Sequence, residues 1–252
     1  MTTSSAIIVS DIHLGAATPE NEAAFHDFLR TEATKVPDLV INGDLFDFWF
    51  EYRTVILRNH FLTLRLLADL VDAGTRIRLV GGNHDSWGGS FLRESVGIEL
   101  VDGPVVTDIG GRRTYLAHGD GLGAGDHGYK MLRRVLRSRL ASAAFRHVHP
   151  DWSAALVRGV SRTDSRHTAE TPEGSRAVHL ARHAAEVLEA DPTIELVALG
   201  HCHVPHLEEM APGRYYLNSG DWTHNCTWAT VNTESVRLHR WTEDQKPDNG
   251  TL

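Results

Sequence analysis

The stretch DLVINGDLFD, residues 38–47, decides how the chain is read. Its first half is an apolar run of strand length without polar alternation, the pattern of a strand buried on both faces. Its second half breaks at Gly43 and sets Asp44 and Asp47 just past the strand's end. Gly-Asp-x-x-Asp is also a common turn, so this text alone carries little weight. What flanks it changes that.

Upstream, AIIVS (6–10) reads as another buried strand, followed at once by Asp11 and His13. Between the two, residues 21–35 place Ala24, Phe25, Phe28 and Leu29 at helical spacing. Downstream, residues 55–73 carry Leu57, Phe61, Leu64, Leu67, Leu70 and Val71 on an amphipathic helix closed by Gly74. RIRLV (76–80) is a third strand, and Asn83, His84 and Asp85 follow it. This β-α-β-α-β order predicts a layered α/β fold. GPVVTDI and RTYLA flank Gly110-Gly111, a hairpin signal, and RTYLA runs into His118 and Asp120. Further strands are expected at 194–199, 214–218, 227–231 and 235–240. The first of these ends in GHCH, with His201 and His203 one residue apart. On an extended backbone both imidazoles would lie on one side. A polar surface turn holding two histidines is the plainer alternative.

A length of 252 residues suits one large domain with room for an insertion. The hydrophobic fraction of 41% and charged fraction of 23% are those of a globular chain. No apolar run reaches the roughly 18 residues of a membrane span. The start, MTTSSAIIVSD, lacks the basic and apolar regions of a signal peptide, so a cytoplasmic location is expected. Two cysteines, Cys202 and Cys226, make no disulfide framework. A net charge of −8 argues against a general nucleic-acid binder. From about 127 to 190 the character changes, with helical segments near 127–147, 152–160 and 173–190 and no strand signal. Residues 127–166 are basic, with Lys130, Arg133, Arg134, Arg137, Arg139, Arg146, Arg158, Arg162 and Arg166 against Asp151 and Asp164. The expected organisation is a single domain over 1–252 with a helical, basic insertion at 127–190. The tail from Thr242 reads as disordered.

Five predicted strands thus end in Asp, Asn or His. Ligands of open α/β sheets bind beyond the carboxyl ends of the strands, so these residues point to one shared site. Carboxylates, an amide oxygen and imidazoles, with no thiolate, favour Mn²⁺, Mg²⁺, Fe or Zn²⁺. Asp44 has two oxygens and can bridge two ions. Two ions about 3.5–4 Å apart suit hydrolysis of a phosphate ester or anhydride.

In order, DIH, GDLFD, GNHD, HGD and GHCH resemble the signature of the calcineurin-like metallophosphoesterases. The resemblance implies a four-layer α-β-β-α sandwich with a two-metal centre, Mn²⁺ foremost. It implies Asp11, His13, Asp44 and His203 on one ion, and Asp44, Asn83, His118 and His201 on the other. His84 would contact the phosphate or leaving group, and Asp85 would orient it. GDLFDFWFEYRT (43–54), HGDGLGAGDHGYK (118–130) and NSGDW (218–222) are similar to the UDP-2,3-diacylglucosamine pyrophosphohydrolase branch of lipid A biosynthesis. That branch implies cleavage of the diphosphate to UMP and 2,3-diacylglucosamine 1-phosphate, and a helical cap for the acyl chains at 127–190. By the same resemblance Asn83, His84, His201, Asp126 and the SRTDSR segment from Ser161 to Arg166 would contact the substrate. Arginines of the insertion are interleaved with Met131, Leu132, Val135, Leu136, Leu140, Phe145, Trp152, Leu156 and Val157, which suits a substrate both anionic and acylated. Ordinary amphipathic packing gives the same stripe. The basic face would also suit peripheral contact with the inner-membrane surface. The best-known members of that branch have Arg where His84 stands here. The alternatives are a phosphoesterase for another phosphodiester, nucleotide or phosphoprotein, and a non-catalytic metal-binding scaffold.

Overall fold

A computed structural model describes residues 5–82, 89–122, 147–149, 152 and 171–245. Two mixed sheets stack face to face. The first has six strands in the order β11-β10-β1-β2-β3-β4, and the second has five in the order β5-β6-β7-β9-β8. β1 (Ser5–Val9), β2 (Asp38–Ile41), β3 (Arg76–Val80) and β4 (Glu99–Val101) run parallel to one another. β10 (Thr227–Asn232) and β11 (Val236–Arg240) complete this sheet in antiparallel pairing, with Ile7 opposite Thr230. In the second sheet the hairpin β5 (Val105–Ile109) and β6 (Arg112–Leu116) turns through Gly110-Gly111, as expected. β6 pairs in parallel with β7 (Leu196–Leu199), and β7 with β9 (Arg214–Asn218). β8 (His206–Ala211) closes the edge.

The side-chain period of two explains the layering. Ala6, Ile8, Val40, Leu196, Ala198 and Leu217 point between the sheets into one buried cluster. Ile7, Val9, Leu39 and Ile41 point the other way, onto α1 (Pro19–Thr31) and α2 (Phe61–Asp72). Val197 and Leu199 point outward beneath α3 (Ser175–Ala190), meeting Leu180, Ala184 and Leu188. Strands covered on both faces read as continuous apolar runs, which is why β1, β2 and β7 were legible. The layers are therefore α1 and α2, first sheet, second sheet, α3: the expected α-β-β-α sandwich. α3 is the part of 173–190 that forms this outer layer.

Several boundaries differ from expectation. α1 starts at Pro19, capped by the Thr18 hydroxyl, which accepts from the Asn21 N–H at 3.3 Å. Pro needs no N–H partner in a first turn, so the helix begins two residues early. α2 begins at Phe61 and not near 55, because Val55 and Ile56 are surface residues of a preceding loop. β4 and β8 were not anticipated: one is three residues long, the other a half-exposed edge with two glutamates. Glu243–Gln245, within the tail read as disordered, forms a 3₁₀ turn. No helix among the described residues is long and apolar enough to cross a membrane.

Candidate metal centre

Parallel pairing puts the carboxyl ends of β1, β2 and β3 at one edge of the first sheet, and those of β6 and β7 at one edge of the second. The ladder between β1 and β2 continues into the loops. Asp11 N–H donates to Gly43 O at 3.1 Å, and His13 N–H to Asp44 O at 3.0 Å. The Gly200 N–H donates to His118 O at 2.8 Å, which fixes the loop after β7 on the loop after β6.

Polar residues that close the apolar strands stitch the two edges together. Asn42, fully buried after β2, donates through Nδ2 to Ala117 O of the other sheet at 2.9 Å. Its carbonyl accepts from His118 Nδ1 at 2.8 Å. Ser10, after β1, reaches Ser219 Oγ and Gly220 O, each at 2.9 Å. Buried polar groups need such partners, and here the partners are what hold the sheets in register at the site. Asn42 and Ser10 were read only as strand ends. Their signal in the sequence is a lone polar residue finishing an apolar run.

Six non-glycine residues among those described have φ in the left-handed region. Five are Asp11 (53°), His13 (49°), Asp44 (52°), His201 (70°) and His203 (61°), and the sixth is Cys226. This conformation costs L-residues about 1–2 kcal/mol each, and such strain clusters where function demands it. It also corrects the extended-strand account of His201 and His203. β7 ends at Leu199, and two left-handed residues turn the rings to different neighbours. The His201 ring lies edge-on to His118 at 5.3 Å, and the His203 ring lies 5.0 Å from His13.

The side chains converge on two overlapping groups. Ligand atoms of Asp11, His13 and His203 lie within 4.8 Å of one another, as do those of Asp11, Asp44 and His118. Asp11 Oδ1 is 3.4 Å from His203 Nε2 and 3.9 Å from His118 Nε2. Asp44 Oδ2 is 3.2 Å from His118 Nε2 and 3.8 Å from His13 Nε2. Both carboxylates therefore reach both groups, whereas the resemblance gave that bridging place to Asp44 alone. His201 belongs to neither compact group, but its N–H donates to Asp11 Oδ2 at 2.9 Å.

The donor set fits divalent cations. His118 Nδ1 is engaged by Asn42 O, which leaves the buried Nε2 facing the Asp44 carboxylate. His13 and His203 bring their Nε2 atoms to 3.2 Å. Burial raises the Asp11 pKa, opposed by His118 and His203 and reinforced by Asp44. Burial also works against charge on His118, but Asp44 and Asp11 outweigh it and hold the group well above the usual imidazole value. Burial, then His118, pushes His201 down to about 4. Packed carboxylates that perturb one another and the histidines between them are the electrostatics of a site completed by cations. The backbone comes close as well: a side chain at Gly43 (φ 88°) would collide with the His118 ring, and one at Gly82 with Asp44.

Carboxylates stand behind the imidazoles. Asp47 Oδ1 is 3.8 Å from His13 Nδ1, and Asp221 Oδ2 is 3.6 Å from His203 Nδ1. Asp221 is buried and held by the N–H groups of His224 and Asn225 at 2.7 and 2.9 Å. The sequence reading quoted NSGDW but gave Asp221 no role. Asp120, after β6, is buried and adds its charge to the fields at His118 and His201. Asn83, His84, Asp85, Asp126, Ser161 and Arg166 lie outside the described residues.

Known proteins are similar to this chain along most of its length. A UDP-2,3-diacylglucosamine hydrolase of Ralstonia nicotianae is 32% identical over 224 residues, spanning 86% of this chain and 84% of its own. Proteins of the same name from Porphyromonas gingivalis and Pseudomonas entomophila are 29% and 31% identical, over 87% and 92% of this chain and 91% and 97% of theirs. The family model described as calcineurin-like phosphoesterase matches residues 5–205, the stretch from β1 through both histidines after β7. The chain belongs to the calcineurin-like phosphoesterase family.

Proposed function

We propose that this chain hydrolyses the diphosphate of UDP-2,3-diacylglucosamine, releasing UMP and 2,3-diacylglucosamine 1-phosphate. The observation that carries the chemistry is the meeting of Asp11, His13, Asp44, His118 and His203 between two sheet edges, with the buried His118 Nε2 facing the Asp44 carboxylate. The substrate class rests on relatives of that name at about 30% identity along most of both chains.

In this reading Asp11, His13, Asp44 and His203 would hold one divalent ion, and Asp44, Asn83, His118 and His201 the other. Oxygen and nitrogen donors suit Mn²⁺ first. Bound there, such ions lower the pKa of water and neutralise charge on phosphoryl oxygens. The chain's own part is orientation. Asn42 O holds the proton of His118 on Nδ1 and leaves Nε2 as the donor atom. Asp47 and Asp221 place negative charge on the Nδ1 side of His13 and His203, at 3.8 and 3.6 Å. His84, oriented by Asp85, would meet the phosphate. Asp126, Ser161, Arg166 and the part of the 127–190 insertion that precedes α3 would take up the sugar and acyl chains, and its basic face would rest on the inner-membrane surface.

His84 favours a second reading, since the best-known members of the branch have Arg there: the same centre acting on a different phosphodiester. One experiment separates them. Purified protein with Mn²⁺ is given UDP-2,3-diacylglucosamine, its deacylated counterpart and bis-p-nitrophenyl phosphate. UMP release that collapses without the acyl chains supports the proposal. Nitrophenol release without UMP from the acylated substrate refutes the substrate and keeps the centre.

A further inference from the structure

The turn that follows β7 is tight. Cys202 N–H donates to Gly200 O at 2.8 Å, which closes three residues around His201, whose φ is 70°. A hydrogen bond from residue i+2 back to residue i at such a φ is the rare and strained form of γ-turn. Strain of that kind persists only where the surroundings over-determine it. Two side chains do so here. Both oxygens of Asp11 accept the His201 N–H, at 2.9 and 3.2 Å. The second side chain is Asn218, the fully buried last residue of β9. Its Nδ2 donates to Gly200 O at 2.9 Å and to Cys202 Sγ at 3.2 Å, so one amide grips the turn on both flanks of His201. Its Oδ1 accepts the Gly220 N–H at 3.0 Å, which orients the amide.

We propose that Asn218 is a positioning residue, which sets the ring of His201 against His118 by holding the strained turn closed. The inference rests on the reading above, in which His201 and His118 hold the same ion. β7 and β9 pair in parallel with Leu199 opposite Asn218, so the amide stands beside the turn at the neighbouring strand end. Its bonds go to the residues on either side of His201 and not to the ring. It would therefore act on a metal only through where that ring is placed. Without the amide, the Gly200 carbonyl keeps the strained bond from Cys202 alone, and the turn is free to relax toward ordinary backbone with φ below zero. The His201 ring would then leave its edge-on place 5.3 Å from His118.

The test uses the full chain, stripped of metal and titrated calorimetrically with Mn²⁺. Asn218→Ala removes both grips, and Asn218→Leu does so with the side-chain volume kept. In chelator, amide exchange at His201 and Cys202 should accelerate in both variants. Val197→Ala, at a buried position of β7 beneath α3, loosens the same strand without touching the turn and should leave exchange there near the parent's. On titration, N218A should weaken Mn²⁺ binding by about tenfold or more, the range for a residue acting behind a ligand. The same substitution added to His201→Ala should cost less than about twofold more, since residues that act through one group are not additive. A fully additive loss in the double variant overturns the proposal, because Asn218 would then act through Gly220 or on the fold at large. Parent Mn²⁺ affinity in N218A or N218L overturns it too, as does a V197A protein whose exchange and affinity change as much as N218A's. H201A tests the underlying reading by itself. If it binds Mn²⁺ as the parent does, His201 is no ligand, and the positioning role falls with it.

Discussion

His13 and His203, 190 residues apart, bring their Nε2 atoms to 3.2 Å, with Asp11 Oδ1 3.4 Å from one and 4.0 Å from the other. The two nitrogens lie at hydrogen-bond distance from each other, and a cation among them and Asp11 would take both as donors in place of that bond. Metal should therefore stabilise the fold. A ligand at a hundredfold excess over its Kd adds about 2.7 kcal/mol. For a chain of this size that is roughly 5–10 °C in melting temperature. Chelated protein titrated with Mn²⁺ in a thermal melt should show this rise, and His203→Ala should show less of it. A flat titration would remove the metal centre.

Asp221 supplies a second expectation. It lies behind His203 and is itself fixed by two backbone N–H groups and by Asn225 Nδ2 at 3.2 Å. Asp221→Asn keeps the shape and removes the charge that favours the proton on Nδ1. Mn²⁺ affinity should fall by about 10- to 100-fold with the fold intact. Isothermal titration beside a thermal melt checks both halves. Unchanged affinity would make Asp221 a loop anchor only.

The contrast between Asp221 and Asp11 shows what the sequence could tell. Asp11, Asp44, His118 and the histidine pair were legible because each follows an apolar run, and parallel strands buried on both faces cannot hide such a change. Asp221 follows β9 in the same way, but acts through another side chain, and nothing in its own text names that partner. Asn42 and Ser10 act across the gap between the sheets, a relation that exists only after both sheets have formed. β8 was missed for a local reason. His206–Ala211 is an edge strand with both glutamates exposed, so it has neither the continuous run of a core strand nor clean alternation. The left-handed backbone at five ligand positions was not legible either, since Asp and His adopt it more readily than most residues but, unlike glycine, do not mark it.

Asp11 should separate stability from function. Its carboxylate is fully buried, with its pKa raised first by that burial and further by Asp44. Without metal, burial and the neighbouring Asp44 disfavour the Asp11 anion, against the pull of His118 and His203. Asp11→Asn keeps an acceptor for the His201 N–H and removes a buried charge. In chelator the variant should melt at or above the parent, by about 1 kcal/mol, the usual sign when a functional site is relaxed. It should also lose the Mn²⁺-dependent rise and hydrolysis. A variant that melts well below the parent in chelator would show that Asp11 supports the fold by itself.

His60 gives a pH dependence outside the ligand cluster. It is 4% exposed, its ring 4.6 Å from Phe46 and 6.1 Å from Trp49. Burial lowers its pKa to about 4, against a hydrogen bond to the Phe48 backbone. The native state thus binds fewer protons than the unfolded chain between about pH 4 and the ordinary imidazole value of about 6.5. Stability from this group is complete above about 6.5 and is lost as pH falls toward 4. A shift of that size corresponds to at most about 3 kcal/mol. His60→Phe keeps a ring among aromatic neighbours and removes the proton site. Denaturant melts at pH 7 and pH 4.5, in chelator, should then show a smaller acid-side loss than the parent. Equal losses in the two proteins would place the acid sensitivity elsewhere, with the carboxylates and histidines of the centre next to be substituted.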